Sequence, residues 1–290
     1  MKFGQVSNPK DIDFTLPPTA PDTLSLLKEQ QHKDNFAAYV GCAKWNKSDL
    51  KGFYPKGTKD ELPYYSKQFN SIELNATFYN TPSKSQVETW KEKTTPDFKF
   101  CPKIPQSISH YSRLLNTDEK VKEFTDSIAL FEEKLGMTFL QMHDNYKPKD
   151  IERLREFLIK FPKGIPLAVE VRNEEWFSNP ATATSYYKLL EEFDMTNVLV
   201  DTAGRRDLLH MRLTTTSAFI RYVGANDPSD YPRLAEWVTV IKQWREAGLQ
   251  NLYFFIHQNI EVESPLLAAY FIQKLNKELN LNLHIPTTNN

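Results

Sequence analysis

The stretch FNSIELNATFYNTPS, Phe69–Ser83, decides how the chain is read. Its middle alternates cleanly. Ile72, Leu74, Ala76 and Phe78 fall on one face of an extended strand, and Glu73, Asn75, Thr77 and Tyr79 fall on the other. The first face suits burial. The second presents a carboxylate, an amide, a hydroxyl and a phenol in one row, which is either an ordinary wet face or the wall of a site. What the rest of the chain builds around this strand decides between the two.

Seven further strand-like segments share its spacing: YVGCA (Tyr39–Ala43), FKFCPKI (Phe98–Ile104), TFLQM (Thr138–Met142), PLAVEV (Pro166–Val171), NVLVD (Asn197–Asp201), FIRYV (Phe219–Val223) and LYFFIH (Leu252–His257). The opening strand is read as Ser71–Thr77. Helical patterns lie between them. The clearest is DEKVKEFTDSIALFEEKL, Asp118–Leu135, with Val121, Phe124, Ile128, Phe131 and Leu135 on one stripe, acidic residues first and Gly136 after its end. Others fall near Ile151–Leu158, Ser185–Phe193, Leu234–Arg245 and Pro265–Lys274. Eight strands alternating with helices predict an α/β fold, a single (β/α)8 TIM-type barrel over residues 36–290. A doubly wound open sheet is the competitor. It more often carries a Gly-rich first turn, and this chain, with only 9 glycines, has no such motif and no phosphate-cradling loop. Pro102 cannot donate a ladder hydrogen bond, so the third strand is expected to bulge or end early there.

Residues 1–35 differ. NPKDIDFTLPPTAPDT is rich in Pro, Asp and Thr, TLSLLKEQQ fits one short helix, and Phe3, Ile12, Phe14 and Leu16 are apolar anchors. This predicts an N-terminal extension laid on the barrel rather than a separate domain. With 36 basic against 37 acidic residues, the chain lacks the overall charge of a nucleic-acid binder, so nucleic acid is not the favoured partner. Cys42 and Cys101 fit no metal or redox spacing and read as reduced core thiols. No apolar run is long enough to span a bilayer and the N-terminus lacks a secretory pattern, so the expected location is cytoplasmic, with no membrane partner.

In a β/α barrel, chemistry collects at the C-terminal ends of the strands. Reading inward parity at those ends gives Glu73, Asn75, Thr77 and Tyr79, then Lys103, Gln141 with His143, Glu170 with Arg172, Asp201, Arg221, and His257 with Asn259. Leu74, Leu140, Val169, Val171, Val200, Ile220 and Ile256 are expected to face the helices. Singly, each polar residue could be a rim side chain or half of a structural ion pair. Together they predict a charged pocket, because polar groups inside a barrel are costly unless paired, hydrated or in contact with a ligand. Three chemistries fit: two carboxylates as acid and base, His143 and His257 with carboxylates around a divalent metal, or Lys103, Arg172 and Arg221 around a phosphate or carboxylate. No metal-ligand spacing and no nucleophile motif selects among them, so no metal site is assigned and the cofactor is unknown.

YVGCAKW, GFYPKGTKDELPYYSKQFNSIELNATFYNTPS, FKFCPKIPQSISH, FLQM, AVEVRNEEWF and FIRYVG together resemble the YecE-like family, domain-of-unknown-function family 72, from about Tyr39 to beyond His257. The opening FGQVSNPKDIDFTLPP resembles an extension found in a subset of that family. The resemblance implies a TIM-type barrel and no particular activity. The family's recurrent polar residues correspond here to Glu73, Asn75, Thr77, Tyr79, Lys103, His110, Gln141, Glu170, Arg172, Trp176, Asp201 and Arg221. Asn173 and Val223 stand where the family often has His, and His257–Asn259 replaces its strand-eight motif. His110, on the loop after strand three, is either loop surface or a lid residue and general acid or base. Trp176 is either a wedge or a stacking platform. The expectation carried forward is a hydrolase-like enzyme acting on a small polar or anionic, sugar- or phosphate-bearing substrate. Glu170, Glu73, Asp201 and His110 would do the chemistry. Asn75, Thr77, Tyr79, Lys103, Gln141, Arg172, Trp176, Arg221 and His257 would bind. The alternatives are a non-catalytic barrel binding a ligand or nucleic-acid ends through Arg205, Arg206 and Trp176, and a metal-dependent enzyme.

Overall fold

Short runs of β-branched and aromatic residues, each closed off by turn or helix-start residues, become strands where the alternation places them. The computed structural model describes residues 4–29 and 36–288. Its strands are β1 (Ala37–Cys42), β2 (Ser71–Leu74), β3 (Lys99–Pro102), β4 (Thr138–Gln141), β5 (Leu167–Glu170), β6 (Thr196–Thr202), β7 (Ser217–Gly224) and β8 (Asn251–Gln258). The helices are α1 (Pro21–Glu29), α2 (Glu61–Gln68), α3 (Lys84–Glu92), α4 (Asp118–Ile128), α5 (Ile151–Lys160), α6 (Pro180–Glu192), α7 (Asp230–Ala247) and α8 (Ser264–Leu279). Among the described residues, no helix is long and apolar enough to cross a membrane.

The strands pair in parallel as a curled six-stranded sheet, β1-β8-β7-β6-β5-β4, and a separate two-stranded sheet, β2-β3. The expected strands are all present, but the ladder is not one continuous ring. Side chains take over at the β1/β2 seam. The Asn70 amide accepts from the Val40 N–H at 2.9 Å and donates to the Ala38 carbonyl at 2.8 Å. The Tyr65 hydroxyl accepts from the Cys42 N–H at 2.7 Å. Gly41 permits this approach, because a Cβ there would sit 2.0 Å from the Ser71 carbonyl oxygen. At the β3/β4 seam, Pro102 ends the strand as its missing N–H requires. Contact resumes as one bridge, Lys103 to Phe139, with the Ile104 N–H on the Phe139 carbonyl at 2.9 Å.

Two local readings change. β2 stops at Leu74 and the chain turns into a 3-10 helix over Asn75–Phe78, which ends the two-residue alternation that was expected to run to Tyr79. The long helix from Asp118 stops at Ile128. A 3-10 segment follows, with Glu132 at φ 52°, and tucks the Phe131 ring onto Phe100 at 4.3 Å between centroids.

Cys101, Phe139, Ala168, Val198, Val200, Phe219, Tyr253 and Phe255 form one buried cluster inside the sheet. Leu140, Val169, Leu199, Ile220, Phe254 and Ile256 join the larger cluster under the helices. Two residues along from the inner cluster, toward the C-terminal ends, stand Lys103, Gln141, Glu170, Arg221 and His257. The apolar floor thus lies one layer below a polar layer. On β6 the parity is the reverse of the expectation. Val200 belongs to the inner cluster, so Asp201 points out toward α7.

The connection from β6 to β7 holds only a 3-10 turn, Arg206–Leu208, and no α-helix. The N-terminal extension stands in that gap. α1 packs on α7, and the Thr23 hydroxyl donates to the Met211 carbonyl at 3.2 Å and accepts from the Leu213 N–H at 2.9 Å. Arg212 pairs with Glu191 of α6 and approaches Asp22 of α1 at 3.8 Å. Upstream, the Phe14 ring covers the Arg233 guanidinium at 4.3 Å and Leu16 is buried. Phe3 and the expected boundary at Asn35 lie outside the described residues.

Candidate active site

Arg221, at the C-terminal end of β7, organises the polar layer. Its Nε and Nη2 donate to the two oxygens of Glu73 on β2 at 2.9 and 2.8 Å, and its Nη1 donates to Glu170 Oε2 on β5 at 2.9 Å. Both carboxylates are buried. Burial alone would raise them. For Glu73 the charges of Arg221 and His257 outweigh it and hold the carboxyl well below its usual range. For Glu170, Arg172 and Arg221 outweigh burial and hold it at about 2. The fork geometry and the apolar floor beneath it strengthen these pairs. His257 Nε2 donates to Glu73 Oε2 at 2.9 Å, and the Asn75 amide donates to Glu73 Oε1 at 2.8 Å. Arg172 pairs with Glu170 Oε1.

Gln141 links this network to Lys103. Its Nε2 donates to both Glu170 oxygens at 3.1 and 3.0 Å, which turns its Oε1 to accept from Lys103 Nζ at 2.9 Å. Lys103 is 7% exposed, and no described carboxylate lies within ion-pair distance of it. Burial, with the charge of Arg221, brings its ammonium down to about 7. The amine sits 4.1 Å from the Phe78 ring centroid.

An open hollow of about 740 Å³ lies above Lys103 and Gln141, walled by Phe78, Gln106, His110, Tyr111, Arg113 and His143. The His110 ring packs edge-on to Phe78 at 4.9 Å and to His143 at 5.3 Å, and its Nδ1 lies 2.9 Å from the Ser109 hydroxyl. Burial, with the charge of Lys103, lowers His110 to about 4. The wall is made by a π-helical turn, Ser107–Tyr111, followed by Arg113, Leu114 and Asn116 at φ 48°, 68° and 52°. A left-handed backbone costs about 1–2 kcal/mol at a side-chain-bearing residue. π-Turns and such strain both concentrate at functional loops. A second hollow, about 750 Å³, opens at the opposite ends of β4 to β7, lined by Met137, Gly164, Asp194 and Thr215 among others, and gathers no comparable cluster.

The structure therefore brings together Glu73, Asn75, Lys103, Gln141, Glu170, Arg172, Arg221 and His257, with His110 above them. Four expected site residues lie elsewhere. Asp201, turned outward, is bound by Arg206, by Arg233 at 2.9 Å and by the Trp237 indole at 2.7 Å, as the buried anion of a structural cluster. Trp176 is fully buried, donates to the Tyr146 carbonyl at 2.7 Å and stacks on Tyr146, so it is a wedge rather than a platform. Thr77 is spent tying the Leu74 and Lys103 carbonyls together at 2.9 and 2.7 Å. The 3-10 turn swings Tyr79 out to 66% exposure. The same turn brings Phe78, expected under the helices, to the hollow. Gln106, Tyr111 and Arg113 were not singled out from the sequence, because only the folded path of a loop brings them to the wall. Asn75, a turn-favouring residue directly after Leu74, was the available signal that the strand ends early.

Arg205 and Arg206 are likewise engaged. Arg205 pairs with Asp207 and donates to the Arg172 carbonyl, and Arg206 pairs with Asp201 and donates to the Phe14 and Thr15 carbonyls. Among the described residues no cluster of three His, Cys, Asp or Glu side chains is placed to hold a metal ion. Burial pushes the Cys101 thiol up to about 12, outside the range of a ready nucleophile.

A sequence profile described as "Protein of unknown function DUF72" matches residues 39–289. The chain belongs to the DUF72 family. It is 28% identical over 263 residues to UPF0759 protein YecE of Escherichia coli K12, covering 83% of this chain and 93% of that one. UPF0759 protein YunF of Bacillus subtilis 168 is 31% identical over 153 residues, about half of each chain. Among solved structures, a DUF72 family protein of Thermotoga maritima MSB8 covers 84% of this chain at TM-score 0.61 and 26% identity, matched over 99% of its own length. One from Enterococcus faecalis V583 covers 86% of this chain at TM-score 0.67 and 18% identity, matched over its full length, a likeness of fold alone. This DUF72 chain carries its polar layer and its hollow within the residues the profile matches.

Proposed function

We propose that this DUF72 protein is an enzyme acting on a small polar or anionic compound in the hollow above Lys103, within eight strands that close as a (β/α)8 barrel. The Asn70 and Tyr65 hydrogen bonds at one seam and the Lys103–Phe139 bridge at the other support closure. One observation carries the function: a nearly buried lysine, bonded to a neutral amide and to no described carboxylate, faces an open space beside a histidine. A structural lysine in such a place is normally paired. Lysines whose pKa is lowered in this way serve as bases and nucleophiles.

The roles expected from sequence shift accordingly. Glu73 and Glu170 are held ionised by arginines, so neither is poised to deliver a proton near neutrality. They act as fixed charges that orient Arg221 and, through Gln141, Lys103. Proton transfer falls to Lys103 and His110. The binding reading through Arg205, Arg206 and Trp176 finds those groups turned to internal partners.

The test is a panel of small anionic and polar compounds, including sugar phosphates and oxo-acids, screened for stabilisation and turnover. Wild type should turn over at least one of them, and Lys103→Met should lose about 10²-fold or more of that rate. A panel that neither stabilises nor reacts with wild type would remove the enzyme reading.

A further inference from the structure

We propose that Lys103 Nζ is an imine-forming amine, and that the substrate is a small aldehyde or ketone carrying an anionic group. This rests on the hollow being an active site and names the chemistry done in it.

An amine that attacks a carbonyl needs a free lone pair, an open approach and a neighbour that moves protons. Gln141 supplies the first condition by position. Its Nε2 is fixed on both Glu170 oxygens, so it can offer Lys103 only a neutral carbonyl oxygen. A carboxylate at this point would hold the lysine as an ammonium. Gln141 instead keeps Glu170 one hydrogen bond away. The charges facing Lys103 are Arg221 from β7, Arg172 after β5, Glu73 from β2 and Glu170 from β5, and His110 faces it from the loop after β3. Burial and the two arginines favour the free amine; the two carboxylates oppose them and are themselves engaged with Arg221.

The approach is also set. The Phe78 ring covers one side of the amine and Gln141 holds another, while both Lys103 and Gln141 line the hollow. His110 packs against the same Phe78 ring and is neutral near pH 7, so it can accept and return a proton. Arg113, also in the wall, gives the guanidinium that an anionic substituent would meet.

In the step itself, the Lys103 nitrogen lone pair forms a bond to the carbonyl carbon. The C=O pair moves to oxygen, which takes one nitrogen proton through His110, giving a carbinolamine. The second nitrogen proton leaves with the hydroxyl as water, and the nitrogen pair forms the C=N bond. Amine and carbonyl give imine and one water, with no oxidant or reductant.

The test traps the imine in the intact wild-type protein with glyoxylate and sodium cyanoborohydride, and maps modified lysines by peptide mass spectrometry. Lys47 and Lys51, both exposed, are the internal reference. An ordinary lysine is free amine to only about one part in 10³ near pH 7, whereas a group with pKa near 7 is about half free. Lys103 should therefore be modified at least about tenfold faster than the references, allowing for its burial and lower basicity. Its rate should rise with a midpoint near 7, and omitting the cyanoborohydride should leave no stable adduct. Modification of Lys103 no faster than Lys47 and Lys51 in folded protein overturns the inference. If Lys103→Met nevertheless abolishes turnover of a compound from the panel, the active-site reading stands and the imine alone is lost.

Discussion

Arg221 and Glu73 face each other across the strand ends, from β7 to β2, through two parallel hydrogen bonds of 2.9 and 2.8 Å, with neither side chain open to bulk water. Removing the cation takes the shared partner from two buried carboxylates, leaving Arg172 to Glu170 and His257 to Glu73. Breaking such a pair from one side typically costs about 3–5 kcal/mol. Arg221→Met should therefore lower stability to urea by roughly that amount, and melting by on the order of 10 °C. Arg221→Lys, which restores charge without the fork, should lie between. A loss under about 1 kcal/mol in Arg221→Met would show that water reaches these carboxylates in solution.

The same pair sets the response to acid. A carboxyl with a depressed folded pKa stabilises the fold above its unfolded pKa and loses that contribution as pH falls through the folded value. Glu170 is held at about 2 and Glu73 well below its usual range. The loss should begin near the unfolded glutamate value of about 4.3 and continue down through about 2. Urea unfolding followed from about pH 5 downward should be steeper for wild type than for Glu170→Gln. Parallel curves would mean that the folded Glu170 carboxyl titrates where the unfolded one does, so that its pairing adds nothing to the acid response.

Much of this polar layer was legible because inward residues on a strand recur every second position. Lys103, Gln141, Glu170, Arg221 and His257 each stand two places beyond an apolar residue of the inner cluster, and the pattern shows which face they share. It failed on β6, where both faces are buried and TNVLVDT offers polar and apolar residues to each, so no solvent face betrays the parity. It failed again after Leu74, where a 3-10 turn exchanged Phe78 for Tyr79 at the hollow. The role of α1 was hidden for a different reason. Its place on α7, over the β6–β7 connection, follows from the missing β6–β7 helix, a long-range vacancy that its own nine residues do not encode.

Lys103 predicts a trend of the same sign at alkaline values. Its folded pKa, about 7, lies below the unfolded lysine value of about 10.4, so between these the unfolded chain binds more protons and stability rises with pH. The penalty for holding a charged amine inside is present below about 7 and is relieved above it. Wild type should gain up to about 1.4 kcal/mol per pH unit relative to Lys103→Met across this interval. The difference between the two proteins isolates this group from other titrations. A flat difference would mean that Lys103 stays an ammonium and would remove the physical basis of its reactivity.

The extension should matter to the fold through Thr23. Its hydroxyl meets a carbonyl and an N–H of the helix-free β6–β7 connection, Met211 and Leu213, in a fully buried position. Thr23→Val keeps shape and volume but leaves both backbone groups without that partner. Each such loss costs about 1–3 kcal/mol, so the variant should unfold at lower urea, by about 2 kcal/mol or somewhat more, and melt roughly 5 °C earlier. Amide exchange should quicken at Leu213, whose N–H the hydroxyl holds, more than in β2 or β3 of the separate two-stranded sheet. If Thr23→Val is neutral and the Leu213 amide stays protected, α1 rests on α7 without supporting the β6–β7 connection, and trimming the extension should then leave the strand-end site undisturbed.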